Sequence, residues 1–195
     1  VFVLGIDPGL SRCGYGCVTG GAGSWSVVAA GVVTTSPGAP VPARLAELRR
    51  ELAGLLAELS PAVVAVERVL FQTNARTAMA VGQASGVALL SAAEVGCEVA
   101  EHSANEVKLA LTGDGAATKA QVQEMVARLL RLPAPPRPPD VADALALALC
   151  HLGAAPLRRA AAGAAARGTA VGAGRGGPQR RRGHRRVAPV GERLP

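Results

Sequence analysis

The chain has 195 residues, 49% of them apolar, and a formal net charge of +7. That length holds one ordinary domain with a core and some excess, and no apolar run reaches the ~18–20 residues of a membrane span. The charge is concentrated: residues 156–195 carry ten arginines against Glu192, a net of +9, which leaves residues 1–155 at −2, so the basicity belongs to the tail and not to the core.

Four cysteines (Cys13, Cys17, Cys97 and Cys150) show no CxxC spacing and read as small buried apolar residues in a reducing compartment. A zinc site from Cys13, Cys17 and a histidine is the alternative. The N-terminal residues lack the basic region of a signal peptide, so a cytoplasmic location is expected.

In chain order, VFVLGID (1–7), GYGCVTG (14–20) and WSVVAAGVVTT (25–35) predict three strands. The Gly-rich connections between them suit an antiparallel meander. Leucines 45, 48, 52, 55, 56 and 59 recur at helical spacing and predict a helix over about 42–59. PAVVAVE (61–67) is short and almost wholly apolar, the pattern of a central parallel strand. A long helix over about 74–95 and a strand CEVAEH (97–102) follow. Ser103 with Glu106, and Thr118 with Gln121, form capping boxes that each open a helix. The stiff connector LPAPPRPP (132–139) then leads to a last helix from Asp140 to about 152.

The order βββαβαβ with trailing helices predicts an α/β fold, a mixed five-stranded sheet flanked by helices. Residues 1–155 form the folded domain in this reading. From 156 onward Ala, Gly, Arg and Pro dominate without a hydrophobic period, so the tail 156–195 is expected to be disordered.

Acids stand where packing alone would not put them. Asp7 ends the first strand, Glu67 ends the apolar strand, and Asp140 and Asp143 open the last helix, three apart on one face. Singly, each has a plain explanation: a turn residue in DPG, an exposed strand end, an N-cap with a first-turn acid. Together they point elsewhere. With strands one and four parallel and adjacent, Asp7 and Glu67 lie at carboxyl ends, where open α/β sheets place ligands. Four converging carboxylates repel one another, and a hard divalent cation removes that conflict. Mg²⁺ prefers such oxygen ligands, and two ions roughly 4 Å apart can clamp a phosphodiester.

The stretches LGIDPGLSRCGYG, AVERVLFQTNARTAMAVGQASGVAL, VKLALTGDGAATKAQVQEMV and DVADALALALCH, within residues 4–151, resemble the RuvC family. These are the bacterial Holliday junction resolvases of the RNase H-like superfamily. The resemblance implies an RNase H-like fold, with Asp7, Glu67, Asp140 and Asp143 as catalytic acids holding two Mg²⁺ ions, Mn²⁺ being an alternative. It implies Lys108 and Lys119 near the DNA, a homodimer nicking two opposed strands of a four-way junction, and RuvA and RuvB as branch-migration partners. Lys119 follows the Thr118 cap, a position suited to a phosphate at a helix N-terminus.

Four further residues carry expectations. Phe71, next to Leu70, is the candidate ring for stacking an unpaired base, with Leu70 facing the DNA and Phe71 in the core as the alternative. Gly82 and Gly86 lie four apart on the long helix, either at a close helix–helix dimer contact or packed on the helix's own sheet. His151 ends the last helix, where an imidazolium complements the helix dipole.

Rival classes make different demands. An actin-like ATPase or sugar kinase also opens with a strand, Asp and Gly, but needs two such domains. A non-catalytic DNA-binding module would avoid gathering four acids near phosphate. A related RNase H-like nuclease with another branched substrate is the third alternative.

Overall fold

The computed structural model describes residues 2–21, 24–68 and 75–154, without the side chain of Arg76. In chain order the elements are strands β1 (Phe2–Asp7), β2 (Arg12–Gly21) and β3 (Ser24–Thr34), then helix α1 (Val41–Leu59) and strand β4 (Val63–Glu67). Helix α2 (Ala75–Glu94), strand β5 (Glu98–His102) and helices α3 (Ala104–Thr112) and α4 (Lys119–Leu129) follow. A last helix, α5, covers 139–154.

The five strands form one sheet in the order β3-β2-β1-β4-β5. β1, β2 and β3 are an antiparallel meander, whereas β4 runs parallel to both β1 and β5. This is the mixed sheet that the sequence predicts. The second strand begins two residues earlier than expected, at Arg12, because its polar first residue still pairs with Thr34.

Strand alternation divides the core into two layers. On one face Leu4, Ile6, Val64 and Val66 meet Leu48, Leu52 and Leu56 of α1 and Ala84, Ala88 and Ala92 of α2. On the other, Val3, Val63 and Ala65 meet Val107 and Leu111 of α3, Val122 and Val126 of α4, and the apolar face of α5. Each fully buried leucine of α1 contributes ~2–3 kcal/mol by leaving water, which fixes the first layer. Both capping boxes form: Ser103 accepts from the Glu106 N–H, and Thr118 from the Gln121 N–H.

α2 decides one open question. Ala84, Ala88 and Ala92 are its buried stripe, so the sheet takes the alanines. Gly82 and Gly86 lie on the opposite side, exposed, with no atom within 4 Å of where a Cβ would stand. Packing of these glycines on the helix's own sheet is thereby ruled out.

Candidate active site

The alternation that builds the two layers also aims the acids. Leu4 and Ile6 face α1 and α2, so Asp7 shares the α5 side with Val3 and Gly5. Val64 and Val66 likewise leave Glu67 on the side of Val63 and Ala65. Since β1 and β4 pair in parallel through Ile6 and Val66, Asp7 and Glu67 finish neighbouring strands on one face.

Close backbone contact brings the other two acids to this end. A Cβ on Gly5 would lie 1.9 Å from the Ala144 carbonyl oxygen, and one on Gly14 would lie 2.2 Å from that of Asp140. No side chain fits at either position, so α5 rests directly on β1 and β2 with its first turn beside Asp7. The helix starts at Pro139, one residue earlier than expected, so Asp140 lies within that turn and Asp143 follows at the start of the next.

Asp7, Glu67 and Asp143 line an open cleft of ≈ 280 Å³ together with Lys108 and Lys119, against an apolar wall of Val107, Val122 and Leu147. Lys119 opens α4 and donates from Nζ to Oδ2 of Asp143 at 2.5 Å. Asp140 is not part of the cleft lining but stands at its edge, near enough for its charge to act on Asp7 and Lys119. Its Oδ2 accepts from Nη2 of Arg12 at 3.0 Å and Nε at 3.3 Å.

The electrostatics follow from this placement. Burial pushes the Asp7 carboxyl up to about 7, and the charges of Asp143 and Glu67 add to the rise against the pull of Lys119. Glu67 is raised for the same reasons, burial first and Asp143 second, while a hydrogen bond with Asp7 and the Lys119 charge hold it back. Asp140 behaves oppositely. Partial burial would raise it, but the Arg12 hydrogen bond, its own backbone N–H and nearby positive charge hold it below the usual carboxylate range. Lys119 is held above its ordinary value: partial burial is outweighed by the bond to Asp143 and the surrounding acids.

Among the described residues, no three of His, Cys, Asp and Glu are arranged to hold an ion in this conformation. The chemistry of the donors nevertheless fits a hard divalent cation. All are carboxylate oxygens, and the four acids together carry more negative charge than Lys108 and Lys119 balance. A softer metal is poorly served. Cys13 and Cys17 are buried among the α1 and α2 contacts, on the sheet face opposite α5, and burial pushes the Cys13 thiol up to about 12.

Of the residues singled out from sequence, Asp7, Glu67, Asp143, Lys108 and Lys119 come together, and Asp140 stands alongside. Gly82 and Gly86 lie on α2, outside the cleft lining. Leu70 and Phe71 fall outside the described residues. His151 does more than meet a helix dipole: it is buried, and its Nδ1 lies 3.3 Å from Nε2 of His102 at the end of β5. Sequence reading missed that pairing and also Arg12. Arg12 shares the period-two face of Gly14 and Gly16, but only the structure shows that α5 sits on that face.

A five-stranded sheet of this order, flanked by helices and with acids ending its first and fourth strands, defines an RNase H-like fold. The family of crossover junction endodeoxyribonuclease RuvC matches residues 3–151. The chain belongs to that family. It is 56% identical to the crossover junction endodeoxyribonuclease RuvC of Streptomyces griseus over 155 residues, 79% of this chain and 76% of the relative. Identity to the RuvC of Salinispora arenicola is 55% over 151 residues, covering 77% and 86% of the two chains. Among solved structures, Thermus thermophilus RuvC in complex with a Holliday junction substrate superposes with a TM-score of 0.76 at 38% identity, covering 80% of this chain and 95% of that one.

Proposed function

We infer that this chain is a crossover junction endonuclease that resolves four-way DNA junctions by metal-dependent phosphodiester hydrolysis, serving recombination and repair. The observation that carries the reading is the cleft itself: acids from β1, β4 and α5 share it with Lys108 and Lys119.

Asp7, Glu67, Asp140 and Asp143 would hold the divalent ions, with two Mg²⁺ per site as the reading and Mn²⁺ as a substitute. Such ions, when bound, activate water and neutralise charge on the leaving oxygen. The chain's own groups do the rest. Asp7 and Glu67 are fixed by strand pairing, so their carboxylates are presented without a search over loop conformations. Lys119, at the first turn of α4, adds its ammonium to the positive end of the helix dipole and offers a phosphate a positive socket. Lys108 on α3 supplies a second cation across the cleft. Val107, Val122 and Leu147 keep the wall dry, which strengthens each of these charges.

A homodimer follows from the need for two cuts, one in each of two opposed strands. The outward face of α2 supports it: Met79 and Leu90 are 66% and 53% exposed on the same stripe as Gly82, Gln83 and Gly86. Two such helices could approach closely over the glycines and bury the larger side chains at either end. Phe71 is proposed as the ring that stacks on an unpaired base at the crossover. RuvA and RuvB are proposed as partners and the bacterial cytoplasm as the location; among the described residues no helix is long and apolar enough to cross a membrane. Residues 1–155 are proposed as the nuclease domain and 156–195 as a basic arm.

The test is cleavage of a synthetic mobile four-way junction against linear duplex, with and without Mg²⁺. Paired nicks at the crossover that need the ion, with duplex left intact, are expected. Ion-independent cutting, or equal cutting of duplex, would overturn the reading.

A further inference from the structure

Arg12 is the first residue of β2, and strand alternation puts it on the face of Gly14 and Gly16, against α5. Gly14 lets the Asp140 backbone lie on the strand, so the Arg12 side chain, two residues earlier, reaches the Asp140 carboxylate directly. Both of its contacts converge on one oxygen, Oδ2, at 3.0 and 3.3 Å. Asp7, Glu67 and Asp143 line the cleft, whereas Asp140 stands at its edge, its charge reaching Asp7 and Lys119 while its carboxylate is held by Arg12. Lys119 also grips an acid of α5, but that acid, Asp143, already faces the cleft.

The pair is built to exchange. The Arg12 side chain is 49% exposed and that of Asp140 25%. An ion pair so wet contributes little to stability, so its loss costs the fold little. A guanidinium binds phosphate with the same fork that binds carboxylate. Meanwhile the backbone under Arg12 is pinned. Thr35, 4% exposed, donates from Oγ1 to the Leu10 carbonyl at 2.6 Å. Arg44 of α1 donates to Thr35 Oγ1 at 2.9 Å and to Ser11 Oγ at 2.6 Å. Those bonds fix the loop between Asp7 and Arg12, so exchange is a swing of the Arg12 side chain over a stationary base.

We propose that Arg12 is a positioning residue, a latch that holds Asp140 aside from the acid cleft until a phosphate of the DNA draws the guanidinium away. Substrate and divalent ion then bind cooperatively: DNA releases Asp140, and the released carboxylate completes the ion site. This inference rests on the proposed reading of the four acids.

The test measures Mn²⁺ binding to the full chain by the electron paramagnetic resonance of the free ion, without DNA and with a four-way junction whose crossover linkages cannot be cut. Arg12→Gln, free of DNA, should bind Mn²⁺ about 5- to 30-fold tighter than the parent, within the range of ordinary coupling between sites. The junction should tighten the parent by a similar factor and the variant by much less. Arg12→Lys keeps the charge and loses the two-point grip, so it should also bind tighter than the parent. Unchanged or weaker binding by Arg12→Gln overturns the latch. So does parental affinity in Arg12→Lys, which would reduce Arg12 to a general charge effect. Asp7→Asn separates the two levels of inference. If it binds Mn²⁺ as the parent does, the acid site and the latch both fall. If it binds more weakly while Arg12→Gln is unchanged, the latch alone falls.

Discussion

Asp7 makes the metal-free protein less stable than its fold allows, and the effect has a definite sign. Burial, Asp143 and Glu67 hold its carboxyl at about 7, against an ordinary 3.8. Between those values the folded chain keeps a proton that the unfolded chain releases, so stability falls as pH rises through this window. Below about pH 4 the penalty is absent; above neutrality it approaches ~4 kcal/mol. Asp7→Asn removes the charge and keeps the shape and a hydrogen-bond donor for Glu67. Allowing for relaxation around the charge, the variant should gain about 2–4 kcal/mol at pH 8 in EDTA, or ~4–15 °C in melting temperature for a domain of this size. The gain should largely vanish at pH 4. Added Mg²⁺ should raise the melting temperature of the parent and barely move the variant, since an ion that binds the folded state stabilises by mass action. Melting curves at the two pH values, with and without the ion, are the assay. A variant no more stable than the parent at pH 8, or equally stabilised at both pH values, would refute the argument.

Asp7→Asn and Glu67→Gln should each cut junction cleavage to below a few per cent of the parent rate while gel-shift binding of the junction survives; retained nicking would remove the acids from the chemistry. Gly82→Leu should convert the proposed dimer to a folded monomer in sedimentation, with paired incision lost; a variant that stays dimeric places the interface elsewhere. Phe71→Ala should depress junction cleavage and leave the melting temperature nearly unchanged, because a stacking platform contributes ~1–3 kcal/mol to the DNA and little to the fold; a large fall in melting temperature with normal activity returns Phe71 to the core. Removing residues 156–195 takes the formal charge from +7 to −2, and each phosphate that the tail no longer neutralises should lower the slope of log affinity against log salt by roughly 0.9. Titrations of linear duplex at several salt concentrations check this, and superimposable slopes would mean the tail does not touch DNA.

Asp7 and Glu67 were legible in the sequence because a buried strand that ends on a carboxylate is a local contradiction, and a contradiction is visible without coordinates. The two capping boxes and the leucine spacing of α1 were legible because their rules act within one turn of helix. Residues whose roles depend on a partner far along the chain were harder. Arg12 meets Asp140 across 128 positions. His102 meets His151 across 49. Neither has a local pattern that demands its partner. α2 shows a different limit: its alanines and glycines both form small-residue stripes, so periodicity could not say which side faced the sheet. Packing decides, and it gives Ala84, Ala88 and Ala92 to the core and the glycines to solvent.

The glycines of β1 and β2 join the legible and the hidden parts of the site. Gly5 and Gly14 have unremarkable φ values for strand residues, so their purpose is space rather than turn-making. That space lets α5 settle onto the sheet, and it is this closeness that sets the repulsion around Asp7. The same approach gives Arg12 its hold on Asp140. A single methyl group at Gly14 would push the helix away, relax the acid cluster and break the Arg12 grip at once. Stability lost in packing and strain relieved among the carboxylates would then change together, which is why the conservative exchanges at Asp7 and Arg12, rather than changes at the glycines, separate the two effects.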